Sequence, residues 1–200
     1  MRVLVAEDDP LIALALVERV RSLGHEPVGP AQDGAEAVEL ARATAPDLYL
    51  FDVEMPHMDG LEAAAQLSDE GLRRPVVIIT GVEDEGLIER SIASGVSAYL
   101  TKPIETRELH AAIGLAAARH AEFQQLEADV ERVQQALEDR KVVERAKGLL
   151  MSALDLSEQD AFKRLQQTAR ERNLRLADVA ARIVEQQSLL APKHKPAASS

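Results

Sequence analysis

The chain of 200 residues has no cysteine and no tryptophan, and aromatic residues make up only 2% of it. Without cysteine there is no disulfide framework and no cysteine-based zinc site. With so few rings the core has to be built from Leu, Val, Ile and Ala, and a sheet of stacking aromatics for single-stranded nucleic acid is excluded. Long apolar runs are missing as well. The longest near the N-terminus, 11–17, follows three acids and is too short to span a bilayer or to act as a signal. These absences read as a soluble, cytoplasmic protein with no membrane partner. The apolar content of 46% is enough for a real core, and the length suits one large domain or two small ones.

Charge is unevenly spread. Residues 1–139 hold 11 basic and 27 acidic side chains, net −16, whereas residues 140–200 hold 12 and 7, net +5. Asymmetry of this size indicates separate modules with different partners, the basic one a candidate for a polyanion.

The acidic part alternates short apolar runs with helical patterns. Runs at 2–6, 48–51, 76–79 and 98–101, with a weaker one at 27–29, read as buried parallel strands. Helices are expected at 10–22, 31–44, from 59 or 60 to near 71, at 83–94, and from near 105. Five such units imply a doubly wound, five-stranded parallel α/β sheet of the flavodoxin-like kind. Glu7, Asp8, Asp52, Thr80 and Lys102 each follow a strand. Ligands of open α/β sheets bind outside the carboxyl ends of the strands. Hard carboxylate oxygens there suit a divalent cation such as Mg2+, and a lysine with a hydroxyl suits a phosphoryl group. Asp9 before Pro10 and Asp59 before Gly60 read as helix caps. His25, His57 and His110 have no partners in the pattern and are assigned no chemistry.

Four motifs in order, Val5-Ala6-Glu7-Asp8-Asp9-Pro10, Asp52-Val53-Glu54-Met55-Pro56 continuing to Asp59-Gly60, Ile79-Thr80-Gly81 and Tyr99-Leu100-Thr101-Lys102-Pro103, resemble the receiver domain of two-component response regulators. The resemblance implies that Asp52 takes a phosphoryl group from a sensor histidine kinase. It implies Mg2+ held by Glu7 or Asp8, by Asp52 and by the backbone carbonyl of Glu54. Lys102 and Thr80 would bind the phosphoryl oxygens, with Thr80 and Tyr99 as the switch pair. A glutamate at position 54 adds a carboxylate where the family requires only a carbonyl.

Beyond this part, residues 115–147 contain neither Gly nor Pro, and Phe123, Leu126, Val130, Val133 and Leu137 recur at spacings of 3, 4, 3 and 4. That is the seam of a coiled coil, equally the stripe of a long helix packed on its own chain; a homodimer through this stalk is favoured. The end is helical, with Ser157 as a cap, Asn173 as a stop and a last helix to about 188. The Arg145-Ala146-Lys147-Gly148-Leu149-Leu150-Met151 run, with 156–162 and 176–180, resembles the ANTAR domain, the three-helix RNA-binding module of AmiR/NasR-type transcription antiterminators. That resemblance implies RNA hairpins as partners, and Arg140, Lys141, Arg145 and Lys147 are the expected contacts, Lys147 and Arg145 foremost. Ala146, Leu149, Leu150, Phe162, Leu165, Val179 and Ile183 are expected to form its core. The expected plan is a receiver at 1–118, a coiled-coil linker at 119–139, the ANTAR domain at 140–188 and a disordered tail at 189–200. The resulting reading is a signalling protein rather than an enzyme, a phosphorylation-switched antiterminator. A DNA-binding regulator and a phosphorylation-switched adaptor for another protein are the alternatives.

Overall fold

The computed structural model describes residues 1–81 and 96–190. It divides into two compact units, Met1–Gln125 and Leu126–Ser200. The helix expected at 83–94 and the tail beyond 190 lie outside the described residues.

In the first unit the strands are β1 (Arg2–Ala6), β2 (Glu26–Ala31), β3 (Leu48–Asp52), β4 (Val76–Thr80) and β5 (Ala98–Thr101). They form one parallel sheet in the order β2-β1-β3-β4-β5. Alternating side chains leave the sheet on opposite faces, so each face builds its own core. Leu4, Ala6, Tyr49, Phe51 and Ile78 pack with residues of α2 (Gly34–Thr44) and α3 (Gly60–Asp69). Val3, Val5, Leu48, Leu50, Val77 and Ile79 pack with α1 (Pro10–Ser22) and with Leu109, Ile113 and Ala116 of the long helix α4 (Thr106–Leu154). Strand order reverses between β1 and β3, which opens the crevice where this class of sheet binds ligands.

Local chemistry sets the helix ends. Asp9 accepts from the amides of Leu11 and Ile12 at 2.8 and 3.2 Å, and Pro10 occupies a first-turn position that needs no amide. Asp59 and Glu62 form a reciprocal capping box at the start of α3. The second helix begins at Gly34 rather than at 31. Ala31 is fully buried and paired with Ala6 in the sheet, and Asp33 caps the helix through the Glu36 amide at 2.8 Å.

In the second unit the end of α4 is joined by α5 (Glu158–Arg172) and α6 (Leu176–Leu190). Ser157 caps α5 through the Asp160 amide, and Asn173, left-handed at φ 51°, ends it. Ala146, Leu165, Ala169, Val179 and Ala180 form the core, with Val142, Leu150, Leu176 and Ile183 packed around them. Phe162 is half-buried and stands outside that cluster among the described residues, contrary to its expected place in the core. Along α4, Phe123, Leu126, Val130, Val133 and Leu137 are 48–69% exposed among the described residues.

Candidate functional site

The register of the sheet brings the strand ends level: Ala6 pairs with Phe51, Asp52 with Ile79 and Thr80 with Thr101. The next residue after β1 is Glu7, and the next after β5 is Lys102. Lys102 Nζ donates to Glu7 Oε1 and to Asp52 Oδ2, each at 3.0 Å, and lies 2.8 Å from Glu7 Oε2. Its own amide donates to the Thr80 carbonyl at 2.8 Å, which ties β5 to the end of β4. Glu7, Asp52 and Thr80 are 2%, 2% and 1% exposed.

Two ionised acids in so dry a place are costly, and both titrate high. Burial is the main reason that the Asp52 carboxyl is pushed up, against the lowering effect of Lys102. Burial likewise raises Glu7, with the Lys102 hydrogen bond opposing it and the Asp52 charge adding to the rise. Burial alone would lower the Lys102 ammonium, but its hydrogen bonds to Glu7 and Asp52 outweigh that and hold it above the ordinary lysine value.

Glu7, Asp8 and Asp52 offer carboxylate oxygens within 4.8 Å of one another, with Asp8 on the solvent side. Asp52 Oδ1 is buried and, among the described residues, has no hydrogen-bond partner. A buried anionic oxygen without a donor is expensive, and a divalent cation would satisfy it. The donor set therefore fits a hard cation. Glu54 is exposed and outside this carboxylate cluster; its Oε2 stands 3.8 Å from the place a Cβ on Gly81 would take. Tyr99 is half-buried against the core on the α2–α3 face. Asp9, engaged as a cap, is not part of the cluster.

The sequence pattern gave no sign of how closely Gly60 approaches this site. A Cβ there would lie 2.1 Å from the Asp52 carbonyl oxygen. The Asp59-Gly60 pair that opens α3 reads in the sequence as a cap or turn, which carries no measure of that distance.

In the second unit Arg140, Lys141 and Arg145 are exposed, Lys141 with Glu138 Oε1 at 2.7 Å. Lys147 is different. It is 8% exposed, with its ammonium 2.7 Å from Glu158, 2.9 Å from Glu144 and 5.9 Å from the centre of the Phe162 ring. The Glu158 and Glu144 hydrogen bonds hold it above the ordinary lysine value. The foremost expected RNA contact is thus turned inward, where it joins α4 to α5.

Among the described residues no helix is long and apolar enough to cross a membrane. Residues 3–114 match the response regulator receiver domain, and residues 131–184 match the ANTAR domain. The transcriptional regulatory protein PdtaR of Mycobacterium tuberculosis is 44% identical over 184 residues, 92% of this chain and 89% of that protein. Among solved structures, a DNA-binding response regulator of the LuxR family from Staphylococcus aureus is similar with a TM-score of 0.56 and 28% identity, over 58% of this chain and 98% of that one. The receiver domain of a modulated diguanylate cyclase from Desulfovibrio desulfuricans gives 0.55 and 34%, over 59% and 94%. Receiver and ANTAR domains generally imply a histidine kinase and RNA as partners, and their combination is typical of regulatory proteins rather than enzymes. With both modules in one chain, and a relative matched along nearly its whole length, this protein belongs to the response regulators that fuse an N-terminal CheY-like receiver domain to a C-terminal ANTAR RNA-binding domain.

Proposed function

We propose that Asp52 stores a phosphoryl group and that the stored group controls RNA binding by the C-terminal unit. The observation that carries this reading is the Asp52 carboxylate itself: Oδ2 is held by Lys102, while Oδ1 is buried without a donor among the described residues. One oxygen of the Asp52 carboxylate forms the new bond to phosphorus as the P–N bond of a kinase phosphohistidine breaks. The bonding pair stays on the imidazole nitrogen, which takes up a proton from water. Such a transfer needs positioning and neutralisation of charge more than acid–base help. Glu7, Asp8, Asp52 and the backbone carbonyl of Glu54 would hold Mg2+, which when bound would supply part of that neutralisation. Lys102 supplies the rest, moving its ammonium from the two carboxylates to the phosphoryl oxygens, while the Thr80 hydroxyl donates to them and Tyr99 follows inward.

The output is assigned to RNA hairpins, contacted through the exposed cations Arg140, Lys141 and Arg145, with Lys147 supporting them from within the fold. Phosphate contacts of this kind supply affinity, and unpaired loop bases supply sequence selection. Pairing of two chains along the α4 stripe would present two RNA-binding units to paired hairpins, preventing termination of transcription. The apportioning of the chain into receiver 1–118, linker 119–139, RNA-binding domain 140–188 and tail 189–200 is part of the same proposal.

Treatment with acetyl phosphate and Mg2+ tests the reading. Mass spectrometry should show one phosphoryl group on the wild type and none on Asp52→Asn, and phosphorylation should tighten binding to a two-hairpin RNA in filter binding. Equal labelling of the two proteins overturns the assignment of Asp52. Equal RNA binding with and without phosphate overturns the switch.

A further inference from the structure

The C-terminal unit contains a single aromatic ring, Phe162, and that ring lines a cleft of about 360 Å³. The cleft is made by the end of α4, by α5 and by the start of α6. Two arginines, Arg140 and Arg175, and two acids, Asp139 and Glu144, line the same cleft. Arg140 is exposed and has no ion pair among the described residues. Arg175 Nη2 lies 2.7 Å from Asp139 Oδ2, yet its side chain remains 61% exposed. Lys147, 5.9 Å from the ring centre, fixes the setting of Phe162 from inside the unit and pairs with Glu144.

We propose that this cleft takes one unpaired base of an RNA loop. The base would lie against Phe162, with its amino edge toward the carboxylates of Asp139 and Glu144 and its phosphate on Arg140 and Arg175. The mixture of groups selects this ligand. A free phosphate leaves the ring unused and meets two carboxylates. Duplex DNA keeps its base faces stacked inside the helix. An unpaired nucleotide presents a π face, hydrogen-bond donors and an anionic backbone together, and each has a counterpart in the cleft. A half-exposed ring outside the core also loses little by stacking, because it does not have to leave a packed position.

The inference rests on the RNA-binding reading above, and the experiment separates the two. The probe is the stem-loop that binds the full-length protein best in a filter-binding screen of hairpins with fully randomised loops. Each loop base of that hairpin is then replaced in turn by an abasic site. For the wild type, one position should cost about tenfold or more in affinity, the worth of one stacked base. Phe162→Leu should bind the intact hairpin about tenfold more weakly and lose its sensitivity at that same position, whereas Phe162→Tyr, which keeps the ring, should retain both. Arg140→Gln, an exposed substitution that spares the core, should weaken all hairpins alike and lower the salt slope by about one. If the wild type binds no hairpin, both readings fall. If it binds but Phe162→Leu gives the wild-type affinity and the wild-type abasic profile, or if duplex DNA competes as well as the hairpin, the base cleft alone is overturned.

Discussion

Lys102 joins two carboxylates, yet its site remains anionic. Glu7 and Asp52 contribute two negative charges, Lys102 cancels one, and Asp8 adds another at the rim. Removing the charge of Asp52 leaves the Lys102–Glu7 pair intact, so no ion is stranded and one desolvated charge is gone. Asp52→Asn should therefore stabilise the metal-free protein at neutral pH, read as a higher urea midpoint than that of the wild type. The pH dependence follows from the direction of the shifts. Glu7 and Asp52 titrate above their unfolded values, so the folded state keeps their protons longer. That contribution is present below the ordinary carboxylate range and is lost as pH rises through the raised values. Asp33 and Glu70 shift the other way, Glu70 to about 2, and are common to both proteins. In a chelator, urea denaturation should show a steeper loss of stability for wild type than for Asp52→Asn as pH rises from about 4 toward 7; parallel curves would remove the argument. Glu54 gives a second test, since its carboxylate lies beside Gly81 rather than in the acidic cluster. Its negative charge near the path of an attacking water or of the phosphoryl group should set how long phosphate is kept, so Glu54→Ala should still be labelled but lose phosphate at a different rate. Equal phospho-lifetimes would show that Glu54 plays no part. The strand-end residues were legible because parallel strands of similar length put their carboxyl ends in one row. The inward turn of Lys147 was not, because its spacing on α4 says nothing of Glu158, which belongs to the next helix.

The elements around the site are fixed to it through backbone. The first turn of α3 lies so close to the end of β3 that Gly60 has no room for a Cβ, which would sit 2.1 Å from Asp52 O and 3.0 Å from the Phe51 Cβ. Neither atom is the end of a flexible side chain, so the helix would have to move as a body. Gly60→Ala should cost more than about 2 kcal/mol in thermal or urea unfolding, in the range of backbone strain. It should also slow phosphorylation of whatever protein remains folded, because the shift acts on the Asp52 backbone. A melting temperature equal to wild type would mean that the approach relaxes freely. Helix ends were legible in the chain wherever a cap is local: Asp9, Asp59, Ser157 and Asn173 act within three or four residues of themselves. The start of α2 was not, since Ala31 suits helix and strand alike and only pairing with Ala6 decides between them. The place of Phe162 was not legible for a related reason. An apolar residue on an amphipathic helix reads as core, whereas on α5 it is Leu165 and Ala169 that fill the interface and Phe162 stands at its margin.

At the scale of the molecule the exposed stripe on α4 is the main apolar feature of the surface outside both cores. Leu126, Val130, Val133 and Leu137 recur in the coiled-coil pattern and are all about half exposed or more. Four large apolar side chains in one line on a charged helix are unfavourable in water, and burying each would contribute about 1.5–3 kcal/mol at most. A second copy of the same helix, in register, is the simplest cover, because a heptad seam is complementary to itself. If phosphorylation favours that pairing, its effect on RNA comes through bivalency: the second hairpin is bound as an intramolecular event, with no new contact made. Val130→Glu with Val133→Glu places like charges across the seam and leaves both folded units untouched at their cores. Sedimentation should then show phosphorylated wild type as a dimer and the phosphorylated double variant as a monomer. The two proteins should bind a single hairpin equally, while the variant loses roughly 100-fold on a tandem pair of hairpins. A variant that stays monomeric yet keeps the full tandem affinity would place the coupling somewhere other than the stalk, and a wild type that remains monomeric when phosphorylated would remove dimerisation from the switch altogether.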